Sequence, residues 1–513
     1  MKMKTKIEDR EPAMQSPKKW LILAIVSSAL FLIVIDMTVL YTALPTLTHD
    51  LHATASDKLW IVNIYALVAS GLLLGMGTLG DKLGHKPLFI SGLVVFGTAS
   101  LLAAYSPSPG ILIAARALLA VGAAMMMPAT LSIIRLTFAD ERERALAIGI
   151  WAAVASGGAA FGPVMGGILL EYFWWGSVFL INVPVVLLAL TMGITVIPHR
   201  AGNASHRWDV IGSLLIMVGL IGVTYAIKEL GKRVPSYEDA LIALLIGIAF
   251  ITLFVRRQRN STHPLVDFSL FRLRPFSAAV AAAIVAAAAL IGMELAFTQR
   301  LQLVVGLSPL QAGLFILPLS LASFISGPLT GKILPHVNSG KILAVGLLIS
   351  GLGMGSYLLL HNAPIIIQVI SLTVIGAGVG STMTAASSTI MHVAPAEKAG
   401  MAASIEEVSY ELGGATGVTL MGSLLSFAYS ATFMLPTGFA VPDTAYDSLD
   451  EALIFAESLP ENMQRTLITQ AHAAFDSGFS AVLAVATLIL LLTSAFVWIT
   501  RHNKQQSRKT ADA

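Results

Sequence analysis

Carboxylates in apolar surroundings are the groups of this sequence best placed to do chemistry. The stretch GMAASIEEVSYELGGATGVTLMG, residues 400–422, carries Glu406, Glu407 and Glu411 among small and apolar neighbours. On insertion scales an acid at the centre of a membrane helix costs roughly 2.5–3.5 kcal/mol, so each needs a use. Asp36 and Glu294 interrupt other apolar runs in the same way. Glu407 and Glu411 are four apart and share one helix face with Ser404 and Gly414. Glu406 points about 100° away, with Ser409, Tyr410 and Gly413. Two neighbouring carboxylates in a low dielectric do not both ionise readily. An arriving organic cation favours the charged form and expels a proton, and a returning proton reverses the exchange. Asp36, Glu407 and Glu411 are therefore the first candidates for substrate and proton binding, followed by Glu294 and Glu406. Glu406 has the competing reading of a side chain that snorkels or bonds to another helix. Glu294 has that of a partner for Arg300 near a helix end.

Such acids need helices to hold them, and the composition supplies these. The 513 residues are 56% hydrophobic and 12% charged with mean hydropathy +0.79, against about 25% charged in soluble domains. The fold class is all-α, polytopic and membrane-embedded. There is no cysteine, which removes disulfides, thiolate metal sites and cysteine nucleophiles. No cofactor, metal or nucleic-acid motif emerges, and no catalytic residue is assigned.

Fourteen apolar segments are long enough to span a bilayer. The expected plan is a tail at 1–19, a six-helix bundle at 20–200, two inserted helices at 201–258, a second six-helix bundle at 259–500 and a tail at 501–513. With both termini cytoplasmic, twenty-five Lys and Arg lie inside and six outside, as the positive-inside rule asks. Residues 431–477 form an acidic external loop whose apolar spacing predicts a short amphipathic hairpin over the outer mouth; a solvated loop is the alternative.

An internal repeat organises the halves. A shift of 256 lays RLTFADERERALAIGIWAAVASGGAAFG (135–162) over MHVAPAEKAGMAASIEEVSYELGGATGV (391–418), pairing Arg142 with Lys398 and Gly158 with Gly414. Parallel repeats of this kind build a substrate path between two halves.

The turn GTLGDKLGHK, Gly77 to Lys86, resembles the loop-two motif of the major facilitator superfamily; only His85 departs. Its residues Gly77, Asp81, Lys82, Gly84 and Lys86 are expected to form a breakable cytoplasmic gate. GAAFGPVMGG, carrying Gly158, Gly162, Pro163, Gly166 and Gly167, resembles the antiporter motif of exporters in that superfamily. IDMTVLYTALP, from Ile35 to Pro45, and WWGSVFLINVP, from Trp174 to Pro184, are similar to motifs of its fourteen-helix drug:proton antiporters. Within that group the chain looks most like the QacA and SmvA type exporters of quaternary ammonium compounds and methyl viologen. Some such chains carry an acid where this one has Asn63. Arg116 fits a family position associated with proton coupling, and a structural ion pair is its other reading.

The resemblance implies two six-helix bundles plus two inserted helices, and a monomer in the bacterial inner membrane. It would export lipophilic cations against the proton gradient, with Trp60, Tyr65 and Tyr410 as π-faces for them. Rivals are an exporter of anionic or metal-chelated drugs and, from another class, a membrane-embedded enzyme or receptor.

Overall fold

The computed structural model describes residues 16–200, 202, 208–232, 234–262, 264–395, 398–436 and 441–511, and all its regular elements are helices. The first half runs α1 (Ser16–Asp50), α2 (Ala55–Leu83), α3 (His85–Ala104), α4 (Pro109–Thr137), α5 (Glu141–Tyr172), α6 (Ser177–Leu180) and α7 (Asn182–Val196). Next come α8 (Val210–Leu230) and α9 (Tyr237–Asn260). The second half holds α10 (Arg274–Gln299), α11 (Pro309–Ile333), α12 (Ser339–Leu360), α13 (Ile365–Val393), α14 (Ala399–Thr432), α15 (Leu449–Ala456) and α16 (Glu461–Ala511). Among the described residues thirteen helical segments are long and apolar enough to cross a membrane, α6 and α7 counting as one. The 32-residue α5 lies between α1 and α11 and has the length of a further span.

Local chemistry sets the ends of these helices. Thr54 and Asp57 form a capping box at the start of α2, and Ser308 and Gln311 another at α11, each satisfying two otherwise open N–H groups. Pro109 and Pro309 occupy first-turn positions that need no N–H donor. Gly84 ends α2 with φ +94°, a conformation closed to side chains with a Cβ, and its neighbour across the turn is the Arg200 carbonyl.

The halves repeat each other's packing. In the first, α1 packs on α5, α2 on α4, α3 on α4 and α7; in the second, α10 packs on α14, α11 on α13, α12 on α13 and α16. The equivalence of α5 and α14 is the one that the 256-residue shift marks. The two most extensive contacts between the halves are crossed, α5 with α11 and α2 with α14.

The glycines of α5 serve both sides of that helix. Gly158, Gly162 and Gly166 form one stripe against Val34, Thr38, Val39 and Thr42 of α1. Gly167 faces α11 instead, where a Cβ would fall 2.5 Å from the Leu310 Cα and 2.8 Å from the Pro309 oxygen. A Cβ on Gly313 of α11 would strike the carbonyl of Pro163. Small residues let two backbones approach where a membrane provides no hydrophobic drive.

The inserted pair lies at the side. Gly71 and Gly75 of α2 receive Met217 and Trp208, and the end of α8 reaches Ser423 of α14. Outward-facing Leu241, Leu245 and Leu253 leave α9 largely uncovered, as a lipid-facing helix requires.

The structure adds three details to the sequence reading. The sixth span breaks at Ile181 into α6 and α7. Arg300 opens a five-residue π-turn, Arg300–Val304, that closes α10. The expected hairpin within 431–477 is in fact α15 followed by the first turns of α16, which begins at Glu461 and continues without a break into the last span. Its amphipathic turns belong to the same helix as its apolar ones.

Candidate functional site

Asp36 lies inside the first half, 2% exposed, with both carboxylate oxygens occupied. Arg116 Nη1 of α4 donates to Oδ2 at 2.6 Å and Asn182 Nδ2 of α7 donates to Oδ1 at 3.1 Å. Asn182 also donates to Ser100 Oγ at 3.2 Å, and Arg116 Nε to the Ile61 carbonyl at 3.3 Å. The Arg116 guanidinium sits 4.7 Å from the centroid of the Tyr65 ring. Five helices thus close around one ion pair, and the geometry places Arg116 as the partner of Asp36. A carboxylate held on both oxygens offers a substrate no free face.

The acids of the second half are different. Glu411 is 5% exposed and its Oε2 has no hydrogen-bond partner. Glu407, one turn earlier, and Glu294 of α10 keep partial exposure, and neither carboxylate has a hydrogen bond or ion pair among the described residues. Glu411 lies in the fields of Glu407 and Arg116. Tyr41 of α1 lies in those of Glu294, Arg116 and Glu411, and Tyr65 of α2 in those of Asp36, Glu411, Arg116 and Glu407. The two tyrosines therefore lie within electrostatic reach of both the sealed pair of one half and the open acids of the other. Arg300 does not serve Glu294: it bonds to Asp476 at 2.7 Å, turned toward α16 by the π-turn.

Glu406 is engaged within its own helix: Tyr410 Oη donates to its Oε1 at 3.3 Å, and Ser387 of α13 lies on its other side. Tyr410 is thereby tied down as well. The two other candidate rings already hold cations of the protein itself, Tyr65 that of Arg116 and Trp60 that of Lys228, whose Nζ is 4.0 Å from the ring centroid.

At the end of the bundle where α2 meets α3, the motif residues form a cavity of about 370 Å³ lined by Gly80, Asp81, Gly84, His85, Lys86 and Arg200, among others. The single departure from the motif is what Asp81 contacts: His85 Nε2 lies 3.3 Å from its Oδ1. Lys86 caps α7, donating to the carbonyls of Ile194 at 2.7 Å and Ile197 at 2.6 Å. Lys82 is exposed, and Gly77 has only Pro128 near it. Nearby, Lys398 bonds at 2.5 Å to Asp267 in the link between α9 and α10 and, with the Ser269 hydrogen bonds, holds that carboxyl down at about 2.

The opposite end, which carries α15, is where polar bonds join the halves. Asp450 of α15 pairs with Lys58 of α2 and accepts from Thr48 of α1 at 3.4 Å. Lys58 also donates to Gln299 at 2.7 Å, and Gln302 to the Thr42 carbonyl at 2.9 Å. His49 meets Glu457 at 3.1 Å, and deeper in the bundle Asn63 donates to Thr419 at 2.9 Å. Lys58 and Asp450 are buried, so removing either leaves the other charge uncompensated. Lys58→Met is expected to raise the population open at this end by about tenfold. With no native cysteine, a single Leu425→Cys behind the seal reads this as faster labelling by a water-soluble maleimide; an unchanged rate would count against the seal.

Sequence reasoning missed Asn182 and the Lys58–Asp450 pair. Asn182 stood inside a noticed motif with no sign of its partner, and Asp450 was one of several acids in a loop.

The profile described as Major Facilitator Superfamily matches residues 26–418. The methyl viologen resistance protein SmvA of Salmonella typhimurium is 39% identical over 492 residues, covering 95% of this chain and 99% of that one. The multidrug efflux pump LfrA of Mycolicibacterium smegmatis is 37% identical over 501 residues, covering 97% and 99%. Among solved structures, a bacterial homologue of the human lysosomal transporter Spinster, inward-facing and unoccupied, matches with TM-score 0.65 at 17% identity, over 94% of this chain and 98% of that one. The helices of this chain repeat in two packed sets, the family profile covers most of the chain and the relatives nearly all of it: the chain belongs to the Major Facilitator Superfamily and is a multi-pass membrane transporter, not an enzyme.

Proposed function

We propose that the protein is a proton-coupled antiporter that exports lipophilic organic cations such as quaternary ammonium antiseptics, cationic dyes and viologens. The observation that carries this reading is the buried, unpartnered Glu411 carboxylate on the face it shares with Glu407. Glu294 adds a third open acid from the neighbouring helix. Acids without internal partners attract either a proton or a cation, and the two compete for the same oxygens. The names of the relatives, one for methyl viologen resistance and one for multidrug efflux, agree with such substrates.

In this reading both termini are cytoplasmic, the membrane is the bacterial inner membrane and the α15 end faces outward. The bonds clustered at that end then describe an inward-facing state. Residues 20–200 and 259–500 rock as two bundles, 201–258 ride at the side, and the glycines of α5 let the seam re-pack. Asp36 and Arg116 act as the coupling pair: protonation of Asp36 frees Arg116 to answer the charge on Glu411. Asp81 and His85, with Gly77, Lys82, Gly84 and Lys86 around them, belong to the cytoplasmic gate. The unit is a monomer without cofactor, driven by protons; each exported charge works against about 2.3 kcal/mol per 100 mV.

The test is the purified protein in liposomes with an imposed proton gradient. A cationic dye is expected to accumulate only while the gradient lasts, with protons moving in the opposite direction. Equal movement of an anionic drug, or dye movement without a gradient, would overturn the reading.

A further inference from the structure

Lys228, at the end of α8, is a buried lysine for which the transport cycle has no use. It is 5% exposed, and its Nζ has the Ser56 carbonyl at 3.0 Å and the face of Trp60. No carboxylate lies within ion-pair distance of it among the described residues. Close by, Ser423 of α14 is 8% exposed and its Oγ has no hydrogen-bond partner. Both line a cavity of about 280 Å³ among the ends of α2, α8 and α14 and the segment leading into α15. At about 30 Å³ per water, that is the room of a chemical group, not of one bridging solvent molecule.

The walls of this cavity have two signs. Lys228 and Lys232 lie on the α8 side, and Asp447 and Glu451 on the α15 side. Lys232 is shared with Glu229 at 2.6 Å, whereas Lys228 has no such partner. Burial, with Asp450 and Asp447 beside it, pushes the Glu451 carboxyl above its ordinary range, so a cation is welcome there too. A bare anion would meet the two acids and a bare cation the two lysines. Leu230, directly before the Gly231 and Lys232 that line the cavity, and Val234, Tyr237 and Leu241 further along the inserted segment are exposed apolar side chains, a surface for acyl chains.

We propose that this cavity seats the headgroup of an aminophospholipid from the adjoining leaflet, its phosphate toward Lys228, Lys232 and the Ser423 hydroxyl and its amine toward Asp447 and Glu451. The site is independent of the exported substrate. It joins α8 to both halves, because α2 and α14 each contribute a wall, and it gives the inserted pair a role that twelve helices could not supply.

Native mass spectrometry of the full chain, extracted from vesicles of equal phosphatidylethanolamine and phosphatidylglycerol, tests the site. The wild type is expected to retain phosphatidylethanolamine. Lys228→Met should retain about tenfold less, as loss of one charged hydrogen bond implies. Asp447→Asn combined with Glu451→Gln alters only the opposite wall and should reverse the order in favour of phosphatidylglycerol. The proposal is overturned if both variants retain phosphatidylethanolamine as the wild type does, or if the wild type prefers phosphatidylglycerol. Stabilisation against heat by soluble phosphoethanolamine but not by the lipid would also overturn it, by placing a free solute in the cavity.

Discussion

Replacing Glu411 by Gln should slow cation transport by about a hundredfold, the equivalent of losing roughly 3 kcal/mol of buried charge interaction. Gln has nearly the shape of Glu, and Oε2 of Glu411 has no partner to lose, so the packing of α14 is undisturbed. A neutral amide is also easier to bury than an ionised carboxylate without a partner, and the melting temperature should hold or rise at pH values where Glu411 would be charged. Glu407→Gln should weaken transport in the same direction, since the pair shares a face. Glu406→Gln should do far less, because Tyr410 already engages that carboxylate. Dye transport in everted vesicles measures all three. Wild-type rates for Glu411→Gln would remove the proposed binding site, and a larger loss at Glu406 would move it to the other face of α14.

Arg116→Met should destabilise the protein by about 3–5 kcal/mol, because it strands a buried carboxylate that then has only Asn182 to answer it. Asp36→Asn leaves the guanidinium beside Tyr65 without its counter-ion and should be similarly harmful. Combining Asp36→Asn with Arg116→Met removes both charges, and neutral replacement of a buried pair often restores or improves stability. The double variant should therefore melt near the wild-type temperature while its dye transport no longer responds to the proton gradient. Recovery of stability together with gradient-driven transport would make the pair structural only. Failure of the double variant to recover stability would show that the pair is not what the first half depends on.

The sequence made the helices and their repeat readable because both are local or periodic. Apolar runs of bilayer length mark the spans, and the Gly158–Gly167 spacing marks a helix that must be approached closely. Gly84 could be placed at a turn for the same reason. Contacts between distant positions were not readable. Asn182 reaches Asp36 across 146 residues and Lys58 reaches Asp450 across 392, and nothing in either neighbourhood encodes the partner. The pairing of Glu406 with Tyr410 was accessible in principle, being one helical turn, but the choice between that bond and a free carboxylate rests on α13, whose Met383 carbonyl also receives the Tyr410 hydroxyl. Rings were the least readable: Trp60 and Tyr65 have the right chemistry for a cation, and only the packing reveals that Lys228 and Arg116 hold them.

The seam between α5 and α11 has a mechanical consequence. Gly167 meets the Leu310 backbone and Gly313 the Pro163 backbone, with no side-chain hydrogen bond across the seam among the described residues, so the joint is close-fitting but poorly glued. Fit there specifies where the halves meet, while adhesion is delegated to the few polar bonds around Lys58, Gln299 and Thr419. Such a division lets the strength of closure be tuned at one end without reshaping the surface that guides the movement, as a hinge can be fitted once and its latch adjusted separately.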